Sequence, residues 1–363
     1  MVGRQAVRWI TIGFLYLAAA SIVLVLFLSW PGVYGGKANL LDMVGGTADR
    51  PYVGRLVLPA LVRLSVVVGE HASGVTGAEW ARRSVEKVGA LVLRRSRAPK
   101  HAFDDAYTYG SFAMVALFCF VGFAVTLRAS IRSVYPEYPF WVSDLAPIVA
   151  LMVMPVTLFR YVSFIYDPMT LFIFTVCLHL IAVRILPAYL LLFPLAVLSR
   201  ETAILLLPVL LARGAEDSLR PRLVAVGVYH VVVFVGLRIL LHYAFRHNPG
   251  AAFTLQVHRN LAVAGDPSFY VKTFAPLAPV ALLIFYGWRR KRVFLRRAFL
   301  ILGGTLVPLC LLFGSLGETR TYLELYPLAV LLAVPSAAHA FGWTERKSLP
   351  PGSRLRSRGG MPA

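Results

Sequence analysis

The stretch AVLSRETAILLLPVLL, residues 196–211, is an apolar run that the charged pair Arg200 and Glu201 interrupts. It belongs to a longer apolar segment, residues 187–212, which makes about 39 Å of helix, enough for one tilted membrane crossing. The alternative is two short helices that meet at the charged pair, with neighbouring helices shielding their exposed backbone ends. The choice between one crossing and two sets the side of the membrane on which every later segment lies.

The composition is typical of a membrane protein. Of the 363 residues, 58% are apolar, and the mean hydropathy of +0.70 exceeds that of ordinary soluble proteins. The first apolar run is longer than a signal-peptide core and approaches the ~20 residues of a membrane helix, so we expect it to stay attached. We therefore predict an all-α polytopic membrane protein. Its candidate spans are residues 9–30, 111–127, 144–159, 168–184, 187–212, 223–243, 274–288, 298–314 and 325–342.

The basic residues lie in clusters between these spans, as the positive-inside rule predicts. Membrane topology therefore explains the net charge of +20, and no nucleic-acid partner is expected. A single crossing at residues 187–212 puts the last three clusters outside, whereas a hairpin puts every cluster and both termini in the cytoplasm. Charge thus favours the hairpin, about ten transmembrane helices, and an outer tip at Arg200 and Glu201. The clusters are Arg4 and Arg8; Arg128 and Arg132; Arg213, Arg220 and Arg222; residues 289–297; and residues 346–358.

The segment between the first two spans, residues 31–110, is too long for a simple connection. Within this large extracytoplasmic loop, residues 56–69 and 78–95 are predicted to be amphipathic helices that lie along the membrane surface. A rival topology lets residues 56–69 cross, with Arg55 and Arg63 snorkelling; we prefer the interfacial helix because this short segment contains Pro59 and Arg63. We predict one integral membrane domain, residues 1–342, and a basic, disordered cytoplasmic tail, residues 343–363.

Four outer loops of this topology bring carboxylates and arginines to one face. Arginine binds phosphate oxygens bidentately, and a carboxylate can take the proton from an attacking hydroxyl. The set therefore suits transfer from a phosphate-linked donor. The candidates are Asp49 and Asp42 for catalysis; Arg55, Arg200 and Arg320 for the donor phosphate; and Asp167, Glu201, Glu318, Arg238 and His242 as supporting or orienting groups.

Each candidate also has a purely structural interpretation. Asp167 precedes Pro168 and could cap a helix, and the neighbouring pairs Arg200–Glu201 and Glu318–Arg320 could neutralise each other. The remaining alternatives are a snorkelling arginine for position 55, a solvated Gly-rich loop for positions 42 and 49, and an intramembrane contact for positions 238 and 242, one helical turn apart.

The three cysteines, Cys119, Cys177 and Cys310, lie inside apolar runs without metal-ligand spacing. We predict no metal-ligating residues and no definite cofactor. The sequence leaves open whether a divalent metal takes part, and it does not indicate the oligomeric state. Arginine far outnumbers lysine, which is typical of GC-rich bacterial genomes. We therefore expect the chain in a bacterial inner membrane, among membrane lipids.

The phrases PYVGRLVLP (51–59), YDP (166–168), SRETAILLLP (199–208) and ETRTYLELYP (318–327) are similar to those of uncharacterised bacterial members of the type C (GT-C) glycosyltransferase superfamily. The order of one helix, a large acidic outer loop and many short helices resembles that superfamily too. The resemblance implies a polyprenyl-phosphate-linked sugar as donor. It also implies an acid or base in the first outer loop, which by position is Asp49, with Asp42 second.

The chain departs from the protein mannosyltransferases of that superfamily. Their adjacent Asp-Glu pair is absent from the first loop, because Arg50 follows Asp49, and the 363 residues include no large soluble C-terminal domain. The acceptor therefore stays open among lipid, glycan and protein. The alternative functions are a membrane transporter or lipid-linked-saccharide flippase, for which no internal repeat is evident, and a non-catalytic membrane assembly partner.

Overall fold

The computed structural model describes residues 2–29, 31–71, 76–95, 98, 100–159, 162–214, 220–251 and 254–343. Within these ranges every regular element is helical and there is no strand, which confirms the all-helical prediction. Beyond Trp343, the predicted tail lies outside the described residues. The α-helices are α1 Val2–Leu28, α2 Leu40–Gly45, α3 Val57–His71, α4 Thr76–Arg95, α5 Ala106–Val134, α6 Phe140–Thr157, α7 Asp167–Val183, α8 Leu186–Ser199, α9 Leu206–Gly214, α10 Arg220–Ala244, α11 Val257–Ala264, α12 Pro267–Phe274, α13 Ala278–Phe285, α14 Val293–Phe313 and α15 Tyr326–Ala340. Short 3₁₀ helices connect some of them, including Tyr52–Gly54, Glu201–Leu205 and Thr319–Leu325.

Seven helical segments in the described part are long and apolar enough to cross a membrane. They indicate an integral membrane protein, as the composition predicts. Two further apolar helices, α7 and α8, are shorter. The seven segments are Gln5–Leu28, Ala106–Val134, Phe140–Thr157, Leu223–Ala244, Pro267–Phe285, Val293–Phe313 and Thr319–Ala340.

The chain reverses direction between α8 and α9. Arg200 ends α8 with an extended backbone (φ −164°, ψ 145°). At the far end of α9, Arg213 donates a 3.4 Å hydrogen bond to the carbonyl of Ala182, close to the end of α7. Leu186 at the start of α8 and Gly214 at the end of α9 line the same small cavity. Residues 186–214 therefore form a helical hairpin, whose tip is Arg200 and whose two ends lie together.

Several of the basic clusters lie at the end of the bundle opposite this tip, which we call the basic end. Asp144 near the start of α6 accepts hydrogen bonds from Arg8 of α1 (Nε, 3.0 Å) and Arg128 of α5 (Nε, 2.6 Å). Near the start of α14, the Lys291 ammonium donates to the carbonyl of Leu283 at 2.6 Å. The first contacts hold the starts of α1 and α6 close to the end of α5, and the second holds the start of α14 close to the end of α13. Arg292, just before α14, pairs with Glu137, just before α6, at 3.5 Å, which joins the two groups.

Different contacts join the helices at the other end, which we call the tip end. Ser163, just before α7, donates to the carbonyl of Phe27 near the end of α1 at 2.8 Å. Thr319 donates to the carbonyl of Leu158, at the end of α6, at 3.2 Å. The amide of Gln256 donates to the carbonyl of Leu312 near the end of α14 at 2.8 Å. Successive long helices therefore alternate in direction through the bundle.

The long segment after α1 packs onto this bundle through glycines. Where α4 crosses α5, a Cβ added to Gly89 would lie 1.9 Å from the carbonyl oxygen of Ala106, and one added to Gly110 would lie 2.2 Å from that of Val85. Only glycine permits two helix backbones to approach so closely. At the start of α3, the amide of Leu56 donates to the carbonyl of Leu198 at 2.8 Å. This bond fixes the preceding residue, Arg55, beside the hairpin tip.

Candidate functional site

Three charged side chains from separate elements meet beside the hairpin tip. Glu201 pairs with Arg55 (Nε to Oε2, 3.2 Å) and with Arg238 of α10 (Nη2 to Oε1, 3.7 Å). Burial by itself raises the pKa of Glu201, but the guanidinium groups of Arg55 and Arg238 outweigh that effect and hold its pKa at about 2. Glu201 is therefore ionised at neutral pH, so it can orient the two arginines but is a poor general base.

The other residue of the tip, Arg200, pairs with an acid near the start of α15. Its Nε lies 3.2 Å from Oε1 of Glu324, and Thr202 donates a hydrogen bond to the same carboxylate. The side chain of Glu324 is 0% exposed and that of Arg200 is 8% exposed. Each charge is thus compensated by its buried partner and not by water.

A third buried arginine, Arg320, lies between two acids. Its guanidinium contacts Glu318 (Nη2 to Oε2, 2.7 Å) and Asp167 (Nη1 to Oδ1, 3.5 Å), and it donates to the hydroxyl of Tyr166 at 3.4 Å. Asp167 also accepts a 2.9 Å hydrogen bond from the amide of Phe164. Asp167 therefore both stabilises the turn before α7 and neutralises Arg320.

Stacked aromatic rings connect these ion pairs. The rings of Tyr52 and Phe164 are 5.6 Å apart at 13°, and those of Phe164 and Tyr166 are 5.6 Å apart at 11°. Arg55 lies 4.2 Å from the centroid of Tyr166, and Arg320 lies 3.8 Å from that of Phe164. Cation–π attraction thus adds to the ion pairing. We call the charged group the ionic network: Arg55, Arg200, Arg238 and Arg320 with Asp167, Glu201, Glu318 and Glu324.

Several polar atoms of the ionic network are buried without a hydrogen-bond partner. They include Nη1 of Arg200, Nη1 of Arg238, Nε of Arg320 and Oε2 of Glu324. Such atoms are rare in folded proteins, and bound water or a ligand commonly satisfies them. The tip end therefore retains unused hydrogen-bonding capacity beside its compensated charges.

A cleft of about 490 Å³ lies next to the ionic network, between residues 50–54 and α10. Arg50, Arg238 and His242 supply its polar groups, and Phe234 and Ile239 are among its apolar lining residues. On the same helix, Val232, Leu240 and Tyr243 are exposed. This first cleft thus combines two arginines and a histidine with an apolar wall, on a helix whose outer surface is apolar.

The predicted site residues are divided between these structures. Arg238 and His242 both line the first cleft, while Arg55, Arg200 and Arg320 are held in ion pairs. The remaining supporting residues, Asp167, Glu201 and Glu318, are all members of the ionic network.

The two predicted catalytic aspartates lie in the first loop. Asp49 immediately precedes Arg50 of the first cleft, and its Oδ2 is 3.8 Å from the ammonium of Lys37. The amide of Arg50 donates to the carbonyl of Pro249 at 2.8 Å, which fixes this part of the loop beside the end of α10. Asp42 instead accepts a hydrogen bond from Asn39, the N-cap of α2. Asp49 is thus adjacent in sequence to a residue that lines the first cleft, whereas Asp42 stabilises the start of α2.

Sequence reasoning missed Glu324 in this region, and it counted Arg50 among the outer-face cations without giving it a role. Glu324 lies in the quoted phrase ETRTYLELYP as a lone acid in an apolar helical segment, a pattern that often marks a buried functional charge. Arg50 adjoins the predicted base, and the structure adds that it lines the first cleft. In the described ranges, no group of three or more His, Cys, Asp and Glu side chains is arranged to hold a metal ion.

No known protein family, curated protein sequence or solved structure shows significant similarity to the chain. The functional assignment therefore rests on the geometry of the tip end and on the chemistry of its side chains.

Proposed function

We propose that the chain is a membrane glycosyltransferase of the type C kind, which moves a sugar from a polyprenyl-phosphate donor to a lipid, glycan or protein acceptor. The first cleft carries this proposal. The guanidinium groups of Arg50 and Arg238 and the imidazole of His242, which line it, suit a phosphate. Its apolar wall continues onto exposed apolar residues of α10, which suit an isoprenoid chain lying in the membrane.

The ionic network has a supporting role in this proposal. Glu201 contacts Arg238 through Nη2 and leaves Nη1 of that arginine without a partner in the protein. A carboxylate that fixes one edge of a guanidinium leaves the other edge available for a phosphate oxygen. We therefore favour Arg238 and Arg50 as direct phosphate ligands. The assignment of Arg55, Arg200 and Arg320 to the donor phosphate remains a sequence-based prediction.

The proposed reaction needs a base near the first cleft. The acceptor hydroxyl oxygen bonds to the anomeric carbon of the sugar, the bond from that carbon to the phosphate oxygen breaks, and the hydroxyl proton passes to a carboxylate. Asp49 is the proposed base, because it adjoins Arg50 and its partner Lys37 has a side chain that is 74% exposed. Polyprenyl phosphate leaves with the bonding electrons, and the arginines stabilise its negative charge.

We further propose ten membrane crossings, with the tip end outside the cytoplasm. The alternating helix directions and the basic residues at the opposite end support this topology. It places both termini in the cytoplasm of a bacterial cell, across the inner membrane, and it makes α3 and α4 parts of an outer loop. The ten segments are α1, α5, α6, α7, α8, α9, α10, α12 with α13, α14 and α15.

Cysteine labelling will test this topology. With the native cysteines replaced by alanine, we expect His247→Cys to react with an impermeant maleimide in intact cells and Arg290→Cys to react only after permeabilisation. Both side chains are exposed, the first beyond the end of α10 and the second before the start of α14. Labelling of position 290 but not 247 in intact cells would mean that the tip end faces the cytoplasm.

A binding measurement will test the donor site. We expect Arg238→Gln to weaken binding of a polyprenyl phosphate to the purified protein in nanodiscs by about tenfold or more, because a charged hydrogen bond is worth about 1.5–3 kcal/mol. Arg246→Gln is the matched control, because Arg246 lies just beyond α10, is exposed and does not line the first cleft. Equal affinities in both variants would show that the phosphate does not bind in this cleft.

A non-catalytic membrane assembly partner is the second candidate. The observation that favours it is the pairing of every carboxylate of the ionic network with an arginine, as in a purely structural cluster. This candidate predicts no sugar transfer from any polyprenyl-phosphate sugar, even where the lipid binds. An activity screen with such donors therefore separates the two candidates.

A further inference from the structure

A second cleft of about 590 Å³ lies at the tip end, between α11, α12 and residues 315–318. It is distinct from the first cleft, with which it shares no lining residue. Four of its residues are charged, and hydroxyl groups lie among them. These polar residues include Arg259, Lys272, Asp266, Glu318, Ser268 and Ser315.

The walls of the second cleft are tied together by a buried asparagine. Asn260 of α11 donates to the carbonyls of Leu311 and Gly314 at 2.9 Å each, and its side-chain oxygen accepts from the amide of Leu316 at 3.0 Å. One side chain thus fixes α11 to the end of α14 and to the loop that follows it. A cleft framed in this way is already formed without a ligand, which lowers the entropy cost of binding.

Helix α12 presents different chemistry on its two faces. Ser268, Phe269 and Lys272 line the second cleft, whereas Val271 and Phe274 are exposed. In the proposed topology α12 is the outer end of the α12–α13 crossing, so it lies at the level of the membrane interface with its exposed apolar residues towards lipid. Its cleft-lining face is therefore at the level of the head groups, where a water-soluble ligand has access.

The lining of the second cleft narrows the class of ligand. Its two cations are balanced by two carboxylates, so it has no excess charge to attract an anion, and its polar groups do not suit a hydrocarbon chain. Carboxylates and hydroxyls accept hydrogen bonds, ammonium and guanidinium groups donate them, and the ring of Phe269 offers an apolar surface. A neutral molecule with many hydroxyl groups and small apolar patches matches all of these.

We propose that the second cleft binds a neutral carbohydrate chain. Glu318 is positioned for this by its 2.7 Å contact with Arg320, which holds the carboxylate at the edge of the cleft, where it can accept hydrogen bonds from hydroxyl groups. Asp266 is held by Ser268, whose hydroxyl donates to it at 2.8 Å. The assignment does not depend on the proposed function, because it concerns another cleft and a ligand without lipid.

Saturation-transfer NMR on the full-length protein in nanodiscs will test this site. The probes are neutral tetrasaccharides of glucose, mannose, galactose and N-acetylglucosamine, measured without any lipid donor. We expect at least one to bind, and Ala262→Trp, which places a large ring in the cleft, to reduce its affinity about tenfold or more. The control is Leu261→Trp, on the adjacent and exposed position of α11, which should keep the affinity within about twofold.

Three results would overturn the proposal. One is no binding by any of the four tetrasaccharides. Another is equal binding by wild type and Ala262→Trp, because the sugar would then lie elsewhere. The third is equal loss in Ala262→Trp and Leu261→Trp, which would make the effect a general disturbance of α11. None of these results changes the binding of polyprenyl phosphate at the first cleft, so failure here is distinguishable from failure of the proposed function.

Discussion

Glu324→Gln should lower the stability of the protein by about 3–5 kcal/mol, the usual cost of leaving one partner of a buried ion pair uncompensated. Gln keeps the size of the side chain and can still accept the hydrogen bond from Thr202. The substitution therefore removes chiefly the charge that compensates Arg200, whose side chain is 8% exposed. Thermal unfolding in detergent micelles measures the effect as a large fall in Tm.

An exposed ion pair provides the matched control for this experiment. Glu79 and Arg83 of α4 pair at 3.3 Å with side chains that are 52% and 74% exposed. Exposed pairs contribute about 0–1 kcal/mol, so Glu79→Gln should barely change Tm. Similar Tm values for Glu324→Gln and wild type would mean that the buried pair does not stabilise the tip end.

Asp49→Asn should abolish most of the sugar transfer while leaving the fold intact. Loss of a general base typically lowers the rate by about 10²- to 10⁴-fold. Asn preserves the shape of the side chain, and the lost contact with Lys37 costs little because the lysine side chain is 74% exposed. Transfer of radiolabelled sugar from a polyprenyl-phosphate donor measures the rate, and donor binding should remain normal.

The neighbouring aspartate gives the comparison. Asp42→Asn alters a hydrogen bond with Asn39 inside the first loop, so we expect a modest loss of stability and retained transfer. Near-normal transfer by Asp49→Asn together with an inactive but folded Asp42→Asn would assign the base to Asp42. Full activity in both variants would exclude this loop as the source of the base.

The sequence predicts the helical class and the reversal at Arg200 because hydropathy and basic clusters can be read locally. The hairpin prediction depends on charge, since the length of residues 187–212 alone favours one crossing. The sequence also predicts that Arg238 and His242 lie on the same face of α10, because positions one turn apart on a helix share a face. In the structure both line the first cleft.

The partners of most charged groups could not be predicted in this way. Arg8 and Asp144 are 136 positions apart in the chain, and no local pattern indicates that α1 and α6 bring them together. Arg200 and Glu324 are joined only after the hairpin tip packs against the Thr319–Leu325 helix. The sequence therefore predicts which residue types reach the tip end, whereas the packing of the helices determines which arginines are paired and which line a cleft.

The central claim is that a polyprenyl phosphate occupies the first cleft and lies along α10. The most direct measurement is photo-crosslinking of a polyprenyl phosphate carrying a diazirine in its isoprenoid chain to the full-length protein in nanodiscs, with peptide mapping of the products. We predict crosslinks on α10 around Val235 and Ile239, which excess unlabelled polyprenyl phosphate suppresses. Crosslinks distributed over the exposed faces of α1 and α14, or insensitive to that competitor, would contradict the claim.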